Sequence, residues 1–338
     1  MSRSQLTSTV EQNTGGAVSP YAAGKNKIIN GDFGIWQRGT SLSYTTNAGA
    51  YLADRFLLNF AGTFTGTISQ QTFTPGTAPV AGYEGQFFNR IVRTGTTSVA
   101  PTFYQRIENV RTFAGQTVTF SFWAKADAAR SITIQAYQSF GTGGSGATDN
   151  NAGTASLTTS WQRFSFTYTM PSVAGKTIST SNDSWMTFYW NLPDSTAFTI
   201  DTWGWQLEAG SVATPFTTAT GTLSGELAAC QRYGISLGGN VAPIGVGQST
   251  ATTFGVYTIA LPVTMRTTPS ITTSSASTFL MTTGTDSSIV CSATPTFNIG
   301  SPTVIRVIGT VASGLTAGQG SILLGNVGAG TIFLSAEL

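Results

Sequence analysis

Trp123, Tyr137, Trp185 and Tyr189 fall where an alternating strand pattern turns them away from its apolar face. Trp123 lies between Ser121 and Lys125, opposite Val118, Phe120, Phe122 and Ala124. Tyr137 alternates with Gln135. Trp185 and Tyr189 share a face with Thr187 and Asn191, while Met186, Phe188 and Trp190 take the other. Rings with polar neighbours suit sugars, whose CH-rich faces stack on aromatics and whose hydroxyls need hydrogen-bond partners. These four are therefore candidate glycan-binding residues, with Gln135, Asn191 and Lys125 as polar neighbours. The competing expectation is that such rings plug the rims of the fold or pack under loops.

Catalysis has little to work with. The chain has no histidine, which excludes Ser-His-Asp and Cys-His mechanisms and His-ligated zinc. Cys230 and Cys291 are too few for a disulfide framework and are expected as two thiols. No phosphate-binding loop or dinucleotide fingerprint occurs. Glycoside hydrolysis needs only two carboxylates, but the 14 acidic residues are scattered singly. Asp183 and Asp194, flanking the Trp185–Asn191 segment, come nearest to a pair, and both read more simply as turn residues. The expectation is a protein that is not an enzyme.

The elements that must position these residues are strands. Only 9% of residues are charged, and Gly, Thr, Ser and aromatic residues abound. That composition disfavours helices and favours strands joined by turns. Alternation marks Thr117–Ala126, Ile132–Ala136, Phe164–Tyr168, Trp185–Asn191 and Phe198–Leu207, with Gly141–Thr154 read as a loop. Such spacing implies two antiparallel sheets packed face to face. Ser224–Tyr233 is the one plausible helix, with Glu226 in its first turn and Arg232 in its last. Beyond it lies a second β unit. There Val304–Val311 is largely apolar on both faces, with Arg306 and Thr310 as exceptions, as in a buried or interface strand, and the 325–330 segment reads as a hairpin turn. Residues 1–25 show no apolar period and read as an arm. No apolar run is long enough for a transmembrane helix and no secretory leader is evident, so folding in a cytoplasm is expected. A net charge of +2 without a basic block argues against nucleic acid as a partner.

Four segments carry a resemblance. They are Asn30-Gly31-Asp32-Phe33-Gly34-Ile35-Trp36-Gln37-Arg38-Gly39 with Tyr51-Leu52-Ala53-Asp54-Arg55-Phe56; Ser121–Ala126; Trp205-Gln206-Leu207-Glu208-Ala209-Gly210 with Ala213–Phe216; and Glu226–Tyr233. In this order they resemble a jelly-roll module of bacteriophage tail-fibre and other virion proteins, itself similar to carbohydrate-binding modules. The resemblance implies an all-β chain: an N-terminal attachment arm (1–25), a jelly-roll sandwich (26–217), a linker with a short helix (218–239) and a smaller β-sandwich domain (240–338). It implies a virion structural protein, as a tail-fibre or tail-tip receptor-binding protein contacting host surface polysaccharide. A head decoration or head-fibre protein and a capsule-degrading glycosidase are the alternatives. It further implies assembly in the bacterial cytoplasm, other virion proteins as partners through the arm, and a homotrimer. Many such modules hold a structural calcium, and Asp32 and Asp201 occupy the corresponding ends of this one. The chain departs from the pattern where Gly34 replaces an expected Glu and Asp201 stands single rather than doubled.

Overall fold

The computed structural model describes residues 24–44, 49–60, 65–80, 83–95, 100–194, 196–284, 288–327 and 330–338. The expected arm falls almost wholly outside these. The chain is nearly all β and divides into two compact units, with the boundary between Glu226 and Leu227.

The first unit holds β1 (Ser41–Tyr44), β2 (Ala50–Tyr51), β3 (Phe56–Asn59), β4 (Gly66–Thr72), β5 (Phe87–Arg93), β6 (Thr102–Gln105), β7 (Ile107–Glu108), β8 (Thr117–Ala126), β9 (Arg130–Ser139), β10 (Thr148–Leu157), β11 (Gln162–Thr169), β12 (Trp185–Asn191) and β13 (Phe198–Ala209). They form two antiparallel sheets, ordered β1-β4-β5-β13-β8-β11 and β10-β9-β12-β6-β3-β2, with β7 also pairing β12. This is a jelly-roll sandwich. Period-two alternation builds it. Phe120, Phe122, Trp205 and Leu207 point inward from one sheet, and Phe56, Phe103, Ile132, Ile134, Phe188 and Trp190 from the other. Trp190 bridges the layers, 4.5 Å from Phe122 and 4.7 Å from Trp205 between ring centroids. Each such burial is worth roughly 1.5–3 kcal/mol before entropy is charged against it.

The segments that carry the resemblance are internal ties. The Asn30 side chain donates to the carbonyls of Ile35 and Asp54 and accepts from the Ile35 amide, closing a loop whose Asn30 backbone has φ 58°. Asp54 accepts from the Gln37 amide and pairs with Arg38 at 3.4 Å. Buried Arg55 donates to the Arg106 carbonyl at 2.6 Å. Glu208 accepts from the Thr214 amide at 2.9 Å and from Gln206 at 2.7 Å.

Helix α1 spans Leu223–Gln231, so Arg232 lies past its last turn rather than in it. Its Glu226 is buried and accepts from the backbone amides of Asn30 (2.7 Å) and Thr220 (2.6 Å). Tying the start of the helix to the Asn30 loop is this residue's structural role.

The second unit holds β14 (Gly234–Gly239), β15 (Pro243–Ser249), β16 (Phe254–Ala260), β17 (Ser270–Thr273), β18 (Phe279–Thr283), β19 (Ser288–Val290), β20 (Ala293–Gly300), β21 (Val304–Thr310), β22 (Gly320–Gly325) and β23 (Gly330–Ser335). A three-stranded sheet, β14-β23-β17, and a seven-stranded sheet, β19-β18-β22-β15-β16-β21-β20, enclose a core that includes Tyr257, Phe279, Met281, Val307, Leu323 and Leu334.

Three expectations need correction. Gly234–Gly239, assigned to the linker, is a strand paired along its whole length with β23, which the Gly238-Gly239 pair concealed. The 325–330 segment is not a hairpin turn. It carries the chain from β22 in one sheet to β23 in the other. The expected loop 141–154 is strand from Thr148 onward, paired with β9.

Candidate functional site

β12 lies between β9 and β6 in the second sheet of the jelly roll. Its inward residues Met186, Phe188 and Trp190 fix its orientation, so Trp185, Thr187, Tyr189 and Asn191 face away from the core. The same alternation turns Gln135 and Tyr137 outward on β9 and Tyr104 outward on β6. Register does the rest: Tyr189 sits opposite Tyr104 on one side and Gln135 on the other, and Thr187 sits opposite Tyr137.

The result is a cluster of Tyr104, Tyr137, Trp185 and Tyr189. Tyr137 and Trp185 are 5.0 Å apart at 28°, and Tyr104 and Trp185 are 6.2 Å apart at 12°, so three rings run nearly parallel. Tyr189 lies 6.1 Å from Tyr104 and 6.3 Å from Tyr137. The Arg106 guanidinium stands 4.6 Å from the Trp185 ring centre. With Asn59, Thr102 and Thr187, these groups line an open cavity of about 320 Å³. Rings held by one another lose little freedom when a ligand arrives, which favours binding.

The cluster is polar at its margin. Tyr189 donates its hydroxyl to Asp149 Oδ2 at 2.7 Å. Burial, and then that bond and the Asp149 charge, push the Tyr189 phenol well above its ordinary range. Burial followed by the same charge moves Tyr137 upward too. Both phenols therefore stay protonated and able to donate at neutral pH. Thr187 forms part of the floor, its hydroxyl committed to the Gln105 carbonyl at 2.7 Å.

Three of the four sequence-identified rings thus meet on one face. Trp123 does not belong with them. It lies on β8 in the other sheet and is 8% exposed. There it packs in a separate small core with Phe73, Phe88, Trp203 and Phe216, under Arg163 at 4.6 Å. Alternation correctly turned it from the main core, but the chain outside the sheet covers that face with aromatics of its own. Lys125 shares that sheet and stands with Trp161 and Asp201, so it is no neighbour of the cluster. Tyr104, Arg106 and Asp149 were missed. Tyr104 sits in a four-residue strand too short to show a period, and Asp149 sits in the Gly/Ser/Asn-rich stretch read as loop.

Asp32 and Asp201 each have partners of their own. Asp201 has Arg90 and Lys125 as its cross-strand neighbours. Arg90 takes both its oxygens, at 2.7 and 2.8 Å, and Lys125 stands 3.6 Å away. A carboxylate neutralised by two cations is a poor ligand for a third. Asp32 instead accepts from the Tyr83 hydroxyl at 3.3 Å and shares a cavity of about 160 Å³ with Glu226. Burial and then the Glu226 charge raise its carboxyl. Among the described residues no group of three His, Cys, Asp or Glu side chains converges as a metal site. Asp183, at a strand end, accepts from the Thr142 amide at 2.9 Å. Its bonds to Ser179 and Thr142 hold its carboxyl down at about 2, the wrong direction for a general acid.

Residues 61–195 match the family model of a carbohydrate binding domain. That span includes every residue of the ring cluster. No curated protein matches the chain. Among solved structures it is similar to a xylan-binding domain from Paenibacillus barcinonensis, at 13% identity over 51% of this chain and 95% of that one, TM-score 0.30. It is similar to the N-terminal cellulose-binding domain of a β-1,4-glucanase from Cellulomonas fimi, at 11% identity over 52% and 91%, TM-score 0.29. A tailspike protein of bacteriophage CBA120 is 14% identical over 57% of this chain and 22% of its own, TM-score 0.33.

Proposed function

We propose that the first unit is a non-catalytic glycan-binding module that grips polysaccharide on the outer face of β9, β12 and β6. The observation that carries this reading is the convergence of Tyr104, Tyr137, Trp185 and Tyr189 over one open cavity. The match of residues 61–195 to a carbohydrate binding domain supports it. Ring stacking supplies apolar contact area. Asp149, Gln135, Asn191 and Arg106 supply the acceptors and donors that sugar hydroxyls require.

The wider reading places the chain on a bacteriophage virion, as a tail-fibre or tail-tip receptor-binding protein. It rests on the four sequence segments set out above. In that setting several copies, three by the same resemblance, would turn weak single-site binding into firm adsorption.

The test is adsorption of the full chain to candidate host cells, alongside retardation in gels containing their polysaccharide. Wild type is expected to bind without shortening the polymer. The Trp185→Ala, Tyr189→Ala double variant is expected to lose binding while keeping its melting temperature. Unchanged adsorption by that variant would overturn the reading.

A further inference from the structure

The seven-stranded sheet of the second unit has two faces of unlike fate. One packs Tyr257, Ile305, Val307 and Leu323 into the core. The other turns outward and still carries many aliphatic side chains, interrupted by Gln248, Thr258, Thr282 and Arg306. Val246, Val290, Val304, Ile322 and Phe254 are exposed on it, and Leu280, Val256 and Ile308 are half-buried. Register makes these neighbours: Val246 is opposite Ile322, Val256 opposite Ile308, and Leu280 opposite both Leu324 and Val290. Scattered exposed apolar residues are ordinary, but aliphatic side chains gathered as neighbours across a sheet face mark a site of protein contact.

We infer that copies of this chain associate through this face, with Val246 at the centre of the contact. Three observations favour a second copy as the occupant. First, Arg306 is the one charged residue in all seven strands, so like faces can meet without charge repulsion at their middle. Second, β15 is the central strand of the seven, and its Val246 is 67% exposed. Arg306 lies on β21, two strands away from it. An apolar anchor at the centre with charge displaced to the margin is the layout of a self-complementary interface. Third, the area suffices. Seven strands at about 4.8 Å spacing and strand lengths of about 20 Å give roughly 600 Å² per copy. A pair then buries about 1,200 Å², the lower bound for a specific interface.

This gives the multimeric part of the proposed function a two-fold contact in place of the three copies that the resemblance implies. It rests on a different unit from the ring cluster, so the two can fail separately.

The experiment is light scattering of the full chain at micromolar concentration, with circular dichroism as the folding control. Wild type is expected as a multimer. Val246→Glu and Ile322→Glu are each expected to lower the mass to the 35.3 kDa of one chain, with the β spectrum and the polysaccharide affinity per site unchanged. A monomeric wild type would overturn the inference and leave the face to a different protein. A multimer indifferent to both substitutions would overturn it equally. Should the glutamate variants fail to fold, Val246→Cys decides. Cys230 and Cys291 are buried, so a short bismaleimide should join copies only through position 246. Covalent multimers support the contact, and their absence refutes it.

Discussion

At the scale of single residues, Trp123 and Trp185 make the sharpest contrast. Both stand off the main core face in the sequence pattern, but Trp123 is buried in a second core and Trp185 is half-exposed in the ring cluster. Trp123→Ala should therefore destabilise the jelly roll by about 3–5 kcal/mol in denaturant unfolding and leave glycan affinity intact. Removing one of the half-exposed rings of the cluster, Tyr137, Trp185 or Tyr189, should do the reverse. A single stacking contact is worth about 1 kcal/mol, so Tyr137→Ala should weaken binding roughly five-fold by calorimetry, with little change in melting, whereas Tyr104 is buried and Tyr104→Ala should lower the melting temperature as well. Asp54 gives a pH signature. Burial pushes its carboxyl up to about 6, against the opposing pull of Arg38 and Gln37. Below its unfolded value of 3.8 both states hold the proton and nothing is lost. As pH rises from there through about 6 the folded state retains a proton the unfolded state has released, so stability falls and the loss is complete above that range. The expected size is about 2–3 kcal/mol. Unfolding at pH 4 to 7 should show wild type losing this much relative to Asp54→Asn.

At the scale of elements, Glu226 ties the helix start to the Asn30 loop. Glu226→Ala would strand the buried amide of Asn30 and the part-buried amide of Thr220, and an unpaired buried donor costs about 1–3 kcal/mol. A total loss of about 2–4 kcal/mol is expected in urea unfolding. The same change should let the Asp32 carboxyl fall toward its ordinary value, which carbon-detected NMR titration would read. Legibility also divides at this scale. Long alternating strands such as β8 and β12 were visible because one face of each meets a large core. β10 and β14 were not. β10 pairs only β9, and its Thr-Asp-Asn-Asn run has the composition of a turn, and Gly238 and Gly239 end β14. Each buries core side chains at one end only, Ala155 and Leu157 on β10 and Ile235 on β14, and backbone pairing carries the rest of the strand, to which composition is blind. The site suffered likewise. The three rings on β9 and β12 were legible, but their meeting with Tyr104 and Asp149 depends on cross-strand register, which no local pattern encodes.

At the scale of the whole molecule, each unit has an outward face of its own chemistry: rings on the jelly roll, aliphatics on the second unit. If copies meet through the aliphatic face, polysaccharide retention depends on both. The Val246→Glu monomer should keep the single-site dissociation constant for an oligosaccharide yet elute from an immobilised polymer at least about ten-fold sooner than wild type. A full-strength monomer on the column would show that avidity is not used. The low charge of the chain fits this division, because an apolar contact carrying few charges has little desolvation to overcome.

The near-parallel packing of Trp185 with its tyrosine neighbours also makes the cluster an optical reporter. Trp123, Trp190, Trp203 and Trp205 are buried, so their emission is blind to events outside the protein. Trp36 packs against the main core and Trp161 beside Phe73 and Phe88. Trp185 alone of the seven lines the cavity. An arriving sugar would displace water from its indole and shift its fluorescence to the blue. The Trp185→Phe variant, which keeps an aromatic ring but not the chromophore, should bind with nearly wild-type strength and give no spectral change. Binding could then be followed by the chain's own light, with no label on protein or polymer.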